Sequence, residues 1–232
     1  MNLLDTHTHV SPGATSAEAL LAGMDAAGVG RALLVQAFGR HGYDNSYVLS
    51  AAAAHPGRFA AVGVVDPRRD AVASAADLLT RGALGVRVYA IAPEHDWNGP
   101  IWDFLDRERV PTAVTVLPRD LPAVAAIAAA YPRLPLAVDG CGFTDATDER
   151  LRAAAALRNV SVKLTAWNID RDADVTPMVE LFGPGRVMWG SNFGDPADRR
   201  YPELAAMGRS ACAGPFEAAL LGGTAERFWW SR

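Results

Sequence analysis

The sequence predicts a slightly short (β/α)8, or TIM, barrel of the α/β class, as a single domain over residues 1–232. Three observations predict it. Short β-branched runs alternate with Ala/Leu-rich runs eight times along the chain. The length of 232 residues is close to the roughly 250 of such a barrel. The first strand ends in His-Thr-His, without the Gly-rich turn that opens a doubly wound sheet.

The elements follow in order. Strand Leu3–Thr8 precedes a helical pattern over Ser16–Ala27, and Arg31–Ala37 precedes Ser46–Ala54. Phe59–Asp66 leads to Asp70–Thr80, and Gly85–Ala90 to Ile101–Arg107. Thr112–Leu117 leads to Leu121–Tyr131, and Leu136–Asp139 to Asp145–Leu157. Val160–Thr165 precedes Val175–Phe182, and Arg186–Ser191 precedes Tyr201–Met207. A closing helix runs from Phe216 to about Trp229. Gly28, Gly57, Gly82 and Gly183 stand where helices end, and Pro56 and Pro132 follow runs that they stop.

Composition narrows the function. Half the residues are hydrophobic, 21% are charged and the net charge is −4. That balance, with no basic run, argues against a nucleic-acid partner. No apolar stretch of about 18 residues offers a membrane span. The N-terminus enters a strand with no signal sequence ahead of it. Two cysteines, Cys141 and Cys212, make no disulfide framework, so a reduced, cytoplasmic setting is expected.

A barrel of this kind carries its chemistry at the C-terminal ends of its strands. Those ends hold His7 and His9, Gln36, Asp66, Arg87 and Tyr89, Thr115 and Leu117, Asp139 and Cys141, Lys163 and Thr165, and Ser191 and Asn192. His7 and His9, two apart on one strand, share a face about 7 Å apart, able to grip a metal or to act as acid and base. Ser161, Lys163 and Thr165 alternate with Val160, Val162 and Leu164, so the polar set faces the barrel interior. Arg87 and Tyr89 offer a bidentate fork and a hydroxyl to an anionic substrate. The bland alternative is an interior ion pair of Arg87 or Lys163 with Asp66 or Asp139. Trp97, Trp102, Trp167, Trp189 and Phe193 gather near the predicted mouth, with Trp97 and Trp167 in loops that wall a ligand pocket and Trp189 in the core. Trp229 and Trp230 pack on the barrel or form a subunit contact in a homo-oligomer. Cys141 lacks a neighbouring base and reads as a small buried residue.

Several segments together resemble the amidohydrolase superfamily, in its amidohydrolase-2 branch. They are Asp5-Thr6-His7-Thr8-His9, Pro56-Gly57-Arg58-Phe59 with Gly63-Val64-Val65-Asp66-Pro67, Gly85-Val86-Arg87-Val88-Tyr89 and Val138-Asp139-Gly140-Cys141-Gly142. Asn159-Val160-Ser161-Val162-Lys163-Leu164, Arg186 through Phe193, and Leu221 through Phe228 complete the series. In metal-using members of that branch, the two histidines share a metal with a later histidine and with a strand-eight aspartate that also accepts a proton from water. Here Gly140 and Asn192 stand at those positions. By the same resemblance Asp139 precedes the ligand position and faces away.

A catalytic zinc needs three protein ligands, and His7 and His9 supply two. No cofactor is therefore expected, with zinc on His7 and His9 as the alternative. Asn192 does not take up a proton near neutral pH. It is left to orient a carbonyl, to hold a tautomer, or to stand as a relic or an engineered replacement of an aspartate. The acid and base then fall to His7 and His9. Arg87, Tyr89, Lys163, Trp167 and Asp139 are the expected substrate contacts; metal-free lactonases of the branch are similar in binding acidic substrates with Arg and Tyr. The expected activity is metal-independent hydrolysis of a lactone or activated ester of a small acidic or cyclic molecule. Alternatives are a non-hydrolytic lyase, cyclase, decarboxylase or isomerase using the same histidines, and a ligand-binding pseudoenzyme.

Overall fold

A computed structural model describes residues 3–92, 95–195 and 199–231. Eight parallel strands pair in chain order: β1 (Leu3–Thr8), β2 (Val29–Val35), β3 (Phe59–Val64), β4 (Gly85–Tyr89), β5 (Thr112–Thr115), β6 (Leu136–Val138), β7 (Val160–Leu164) and β8 (Val187–Trp189). This is a TIM barrel, with helices packed outside it. Alternation sorts each strand into two layers. Leu4, Leu33, Val35, Val62, Ala113, Ala137 and Met188 fill the interior, while Val86, Val114, Val138, Val162 and Val187 join the outer core beneath the helices.

The interior is plugged by Trp229, which is fully buried against Leu4 and its neighbours. Small residues at 113 and 137 leave it room. Gly85 does the same, since a Cβ there would meet the indole at 2.9 Å and the Pro111 carbonyl oxygen at 2.3 Å.

The barrel closes between β8 and β1 by a seam rather than a regular ladder. Asn192 N–H donates to the His7 carbonyl (2.8 Å), His9 N–H to the Phe193 carbonyl (2.7 Å) and Thr6 Oγ1 to the Trp189 carbonyl (2.7 Å). Two glycines permit this approach. A Cβ on Gly190 would lie 2.5 Å from His7 Cβ, and one on Gly194 (φ +87) would lie 2.0 Å from the His9 carbonyl oxygen. The seam therefore seats both histidines.

Several helices begin at polar caps. Ser16 Oγ accepts from Ala19 N–H ahead of helix Ala17–Ala27, and Asp70 accepts from Val72 and Ala73 ahead of Ala71–Thr80. Asp148 accepts from Arg150 N–H, so the helix expected from Asp145 starts at Glu149. Two short helices escape the periodicity, Phe38–His41 and Ala166–Arg171, each under two turns. Trp167 thus sits on a helix, not in the expected loop. The closing helix contains π turns at Ala219–Gly223 and Glu226–Trp230. No helix among the described residues is long and apolar enough to cross a membrane.

Candidate active site

The C-terminal end of the barrel opens into a cavity of about 240 Å³. His7, His9, Arg87, Tyr89, Asp139 and Asn192 line it, with Trp167. Lys163 lies beneath, fully buried.

The two histidines converge more closely than their spacing implies. A register irregularity in β1 between Asp5 and Thr8 turns Thr6 and Thr8 onto neighbouring backbone, where each donates to a carbonyl. His7 and His9 then meet edge to face, with Nε2 atoms 3.1 Å apart. Asp5 leaves this face. Its carboxylate accepts from Ser191 N–H and from the Tyr201 hydroxyl, outside the barrel (2.9 Å each). Burial there raises its pKa to about 6, against those hydrogen bonds.

Partners assign the protons. A carbonyl only accepts, so His9 Nδ1–H donates to the Val35 carbonyl (2.8 Å) and its Nε2 carries a lone pair. His7 Nε2–H donates to that lone pair. His7 Nδ1 is then bare, 3.4 Å from Asp139 Oδ1. A proton gained by the pair is best compensated on His7 Nδ1, beside the carboxylate. Burial lowers the His7 pKa to about 4 against the pull of Asp139, and it lowers His9 well below the usual imidazole value, aided by the charges of His7 and Arg87. The pair therefore holds an extra proton weakly.

Asp139 overturns an expectation. Its side chain points into the barrel, not away. Leu136 and Val138 face the outer core and Ala137 faces in, so alternation continues inward at 139. Arg87 Nε donates to Asp139 Oδ2 (3.0 Å) and to Thr115 Oγ1 (2.7 Å), and Thr115 donates to the same carboxylate oxygen (2.8 Å). Lys163 Nζ lies 3.1 Å from Oδ1 and 4.9 Å from the Trp229 ring. Burial by itself would raise the Asp139 carboxyl, but Lys163, His7 and Arg87 outweigh it and hold it well below the carboxylate range. Burial lowers the Lys163 amine against the pull of Asp139. Lys163 is the one lysine in the chain.

Other expected residues stand elsewhere. Asp66 forks onto Arg68 at 2.9 Å and pairs with neither Arg87 nor Lys163. Gln36 donates to the carbonyls of Gly42 and Asp44, and only its own carbonyl touches Arg87. Trp97 and Trp102 stack on each other 6.0 Å apart and do not wall this cavity. Trp189 is core. Cys141 is buried against the Lys163 carbonyl and its thiol is pushed up by burial. Asn192 stands at φ +57, a left-handed conformation that Asn tolerates, and its amide donates to Asp195 (2.9 Å).

Several lining residues were missed in the sequence, among them Phe38, Arg40, Phe143 and Asp195. All follow barrel strands, which was the available signal. Phe38 stacks on Tyr89 at 4.3 Å, and Phe143 meets Trp167 edge to face.

Nε2 atoms 3.1 Å apart, each backed by an acceptor on the far nitrogen, suit two ligands of one ion. The set stops at two. Among the described residues no group of three His, Cys, Asp or Glu side chains is disposed to hold a metal, and Asp139 is already met by two buried cations. A three-ligand zinc site does not fit.

The titrations set a pH dependence of stability. Below about pH 6.5 the unfolded chain protonates His7 and His9, while in the folded chain His7 resists until about pH 4 and His9 is likewise held well below its usual range. Their contribution is complete above 6.5 and is lost as pH falls towards 4. Asp5 opposes this, since its contribution is complete at low pH and is lost as pH rises through about 6. With two histidines against one carboxyl, the urea midpoint is expected to fall from pH 7 to pH 4.5; a flat or rising midpoint contradicts these assignments.

The fold and site define a barrel with buried titratable groups at its mouth, an arrangement typical of small-molecule enzymes. Residues 5–229 match the amidohydrolase family Amidohydro_2, and the chain belongs to that family. No curated protein matches it. Among solved structures it is similar to a probable 2-pyrone-4,6-dicarboxylic acid hydrolase from Acinetobacter baumannii with citric acid bound (18% identity, TM-score 0.81, 99% of each chain). It is also similar to a zinc-bound amidohydrolase from Burkholderia multivorans (22%, 0.75, 99% of each chain). A third is 5-carboxyvanillate decarboxylase from Sphingomonas paucimobilis (16%, 0.69, 98% of each chain). At these identities the likeness is one of fold.

Proposed function

We propose that this protein is a metal-independent enzyme that hydrolyses a lactone or activated ester of a small acidic or cyclic molecule. The observation that carries the reading is the His7–His9 pair at 3.1 Å, with Val35 and Asp139 facing its outer nitrogens. Such a pair takes a proton from attacking water and returns it to the leaving oxygen. Arg87 Nη2 makes no protein hydrogen bond among the described residues, which leaves it for a substrate carboxylate, with Tyr89 and Trp167 as walls. Asn192 orients the Asp195 carboxylate at the same cavity, and Asp195 supplies the carboxylate that position 192 lacks. Two proteins of this fold, a probable 2-pyrone-4,6-dicarboxylic acid hydrolase and a 5-carboxyvanillate decarboxylase, are named for carboxylated substrates, in keeping with that substrate class.

The test is turnover of a panel of carboxylated lactones in 18O water, beside elemental analysis and chelation. Expected are 18O in the product, substoichiometric metal and activity that survives chelator. Stoichiometric zinc lost together with activity overturns the metal-free reading. Turnover without 18O favours the second reading, a non-hydrolytic proton transfer, which suits imidazoles only 3% and 7% exposed. A ligand-dependent thermal shift with no turnover on any substrate overturns both and leaves a binding protein.

Asp195→Asn is expected to lower kcat/KM by about 10²-fold, while Asp195→Glu keeps the carboxylate and retains most of the activity. An unchanged kcat/KM in Asp195→Asn assigns it no catalytic part.

A further inference from the structure

The opposite end of the barrel holds a larger cavity, about 670 Å³. It lies where β6, β7 and β8 begin, because Pro135, Asn159 and Arg186 each stand one residue ahead of a strand and line it. Chemistry in such barrels sits at the other end, so this cavity is separate from the acid–base site.

Its lining is strongly basic, although the chain as a whole carries −4. Arg109, Arg133, Arg158, Arg186 and Arg227 surround it, against Glu108 alone as a carboxylate. Two of these arginines are committed to the fold. Arg186 donates to the carbonyls of Ala155, Leu157, Val160 and Phe182, and Arg133 forks onto Asp106. Glu108 is taken by Arg107. Arg109 and Arg158 make no side-chain hydrogen bond or ion pair among the described residues, and Arg227 reaches only the Thr224 hydroxyl (3.2 Å). Arg186 is lowered by burial and then by the like charge of Arg158, so these guanidiniums repel each other without a carboxylate between them.

The floor is rigid. Asn159 Nδ2 donates to the carbonyls of Ala128, Tyr131 and Leu134 (3.0–3.1 Å), which ties the start of β7 to the end of helix Leu121–Ala130 and the turn that leads into β6. A fixed concave floor with mutually repelling guanidiniums favours a compact anion of more than one charge, because each fork pairs bidentately with a phosphate or carboxylate. Concavity favours a small molecule over a broad macromolecular face.

We propose that this cavity binds a small, multiply charged anion, a phosphorylated or polycarboxylate metabolite, through Arg109, Arg158 and Arg227. The site does not depend on the reaction proposed above.

Isothermal titration of the whole protein with inorganic tripolyphosphate, and separately with citrate, tests it. Binding of either, tighter than about 0.1 mM, supports the proposal, and the anion that binds distinguishes a phosphorylated from a carboxylated ligand. Arg109→Glu with Arg158→Glu is expected to weaken binding at least about tenfold, while Arg119→Glu, an exposed arginine outside the cavity, leaves it unchanged. The milder Arg109→Gln serves if the double variant fails to fold, with a weakening of about threefold expected. No heat with either anion overturns the proposal. So does binding that survives the cavity variants, which would place the anion elsewhere, or equal loss in Arg119→Glu, which would reduce it to overall charge.

Discussion

His7→Ala and His9→Ala are each expected to lower kcat by about 10²–10⁴-fold, with the fold intact. In the proposed reaction the pair works as a unit. His9 offers a lone pair only because Val35 holds the proton on its other nitrogen, and His7 carries the gained charge beside Asp139. Loss of either ring leaves its partner without an acceptor or without a compensated charge, so the double variant should be little worse than the singles. Circular dichroism and thermal melts check the fold, and steady-state kinetics on an accepted substrate measure the loss. Unchanged turnover in both single variants would remove acid–base catalysis from this pair. His9→Gln separates the roles further. It keeps a hydrogen-bonding side chain but does not take up a proton near neutral pH, so activity should stay low while structure is retained.

The largest stability effect is expected at Asp139. Asp139→Ala strands Lys163 and Arg87 in the barrel with no carboxylate between them, and should destabilise the fold by about 3–5 kcal/mol. Lys163 is fully buried and Arg87 is 5% exposed, so water relieves neither. Lys163→Met added to Asp139→Ala should recover part of the loss, because one uncompensated charge is removed and the methionine packs on Trp229. Urea denaturation of the single and double variants measures this. If Asp139→Ala costs under about 1 kcal/mol, the carboxylate is not what holds the two cations in place.

The barrel was legible because its signals are local and periodic. Most strands are short, largely apolar runs set between helical patterns, and β1 matches its expected span from Leu3 to Thr8. The glycines that end two helices, Gly28 and Gly183, show in residue type alone. The site was legible in part. Arg87, Tyr89 and Lys163 fall at strand ends on the inward face, and the structure gathers them with the histidines. Asp139 was misread because a family expectation displaced the alternation of Leu136, Ala137 and Val138, which puts position 139 inside. Phe38, Arg40, Phe143 and Asp195 were not legible. Their side chains are aimed by loops and a one-turn helix whose paths have no period to read. Trp97 and Trp102 failed for the opposite reason: they find each other and leave the mouth.

For His7 and His9 the division is sharp. Sequence alone determined that two imidazoles share a barrel mouth, and that Gly140 and Asn192 stand where further ligands are usual in the resembled family. Tertiary structure decided how the two are arranged. The seam across Gly190 and Gly194 presses β8 onto β1, the irregularity in β1 turns the rings edge to face, and Asp139 arrives from β6 with Arg87 and Lys163 around it. Spacing along one strand is set by local backbone geometry, whereas charge compensation in a buried site depends on which distant strands meet there.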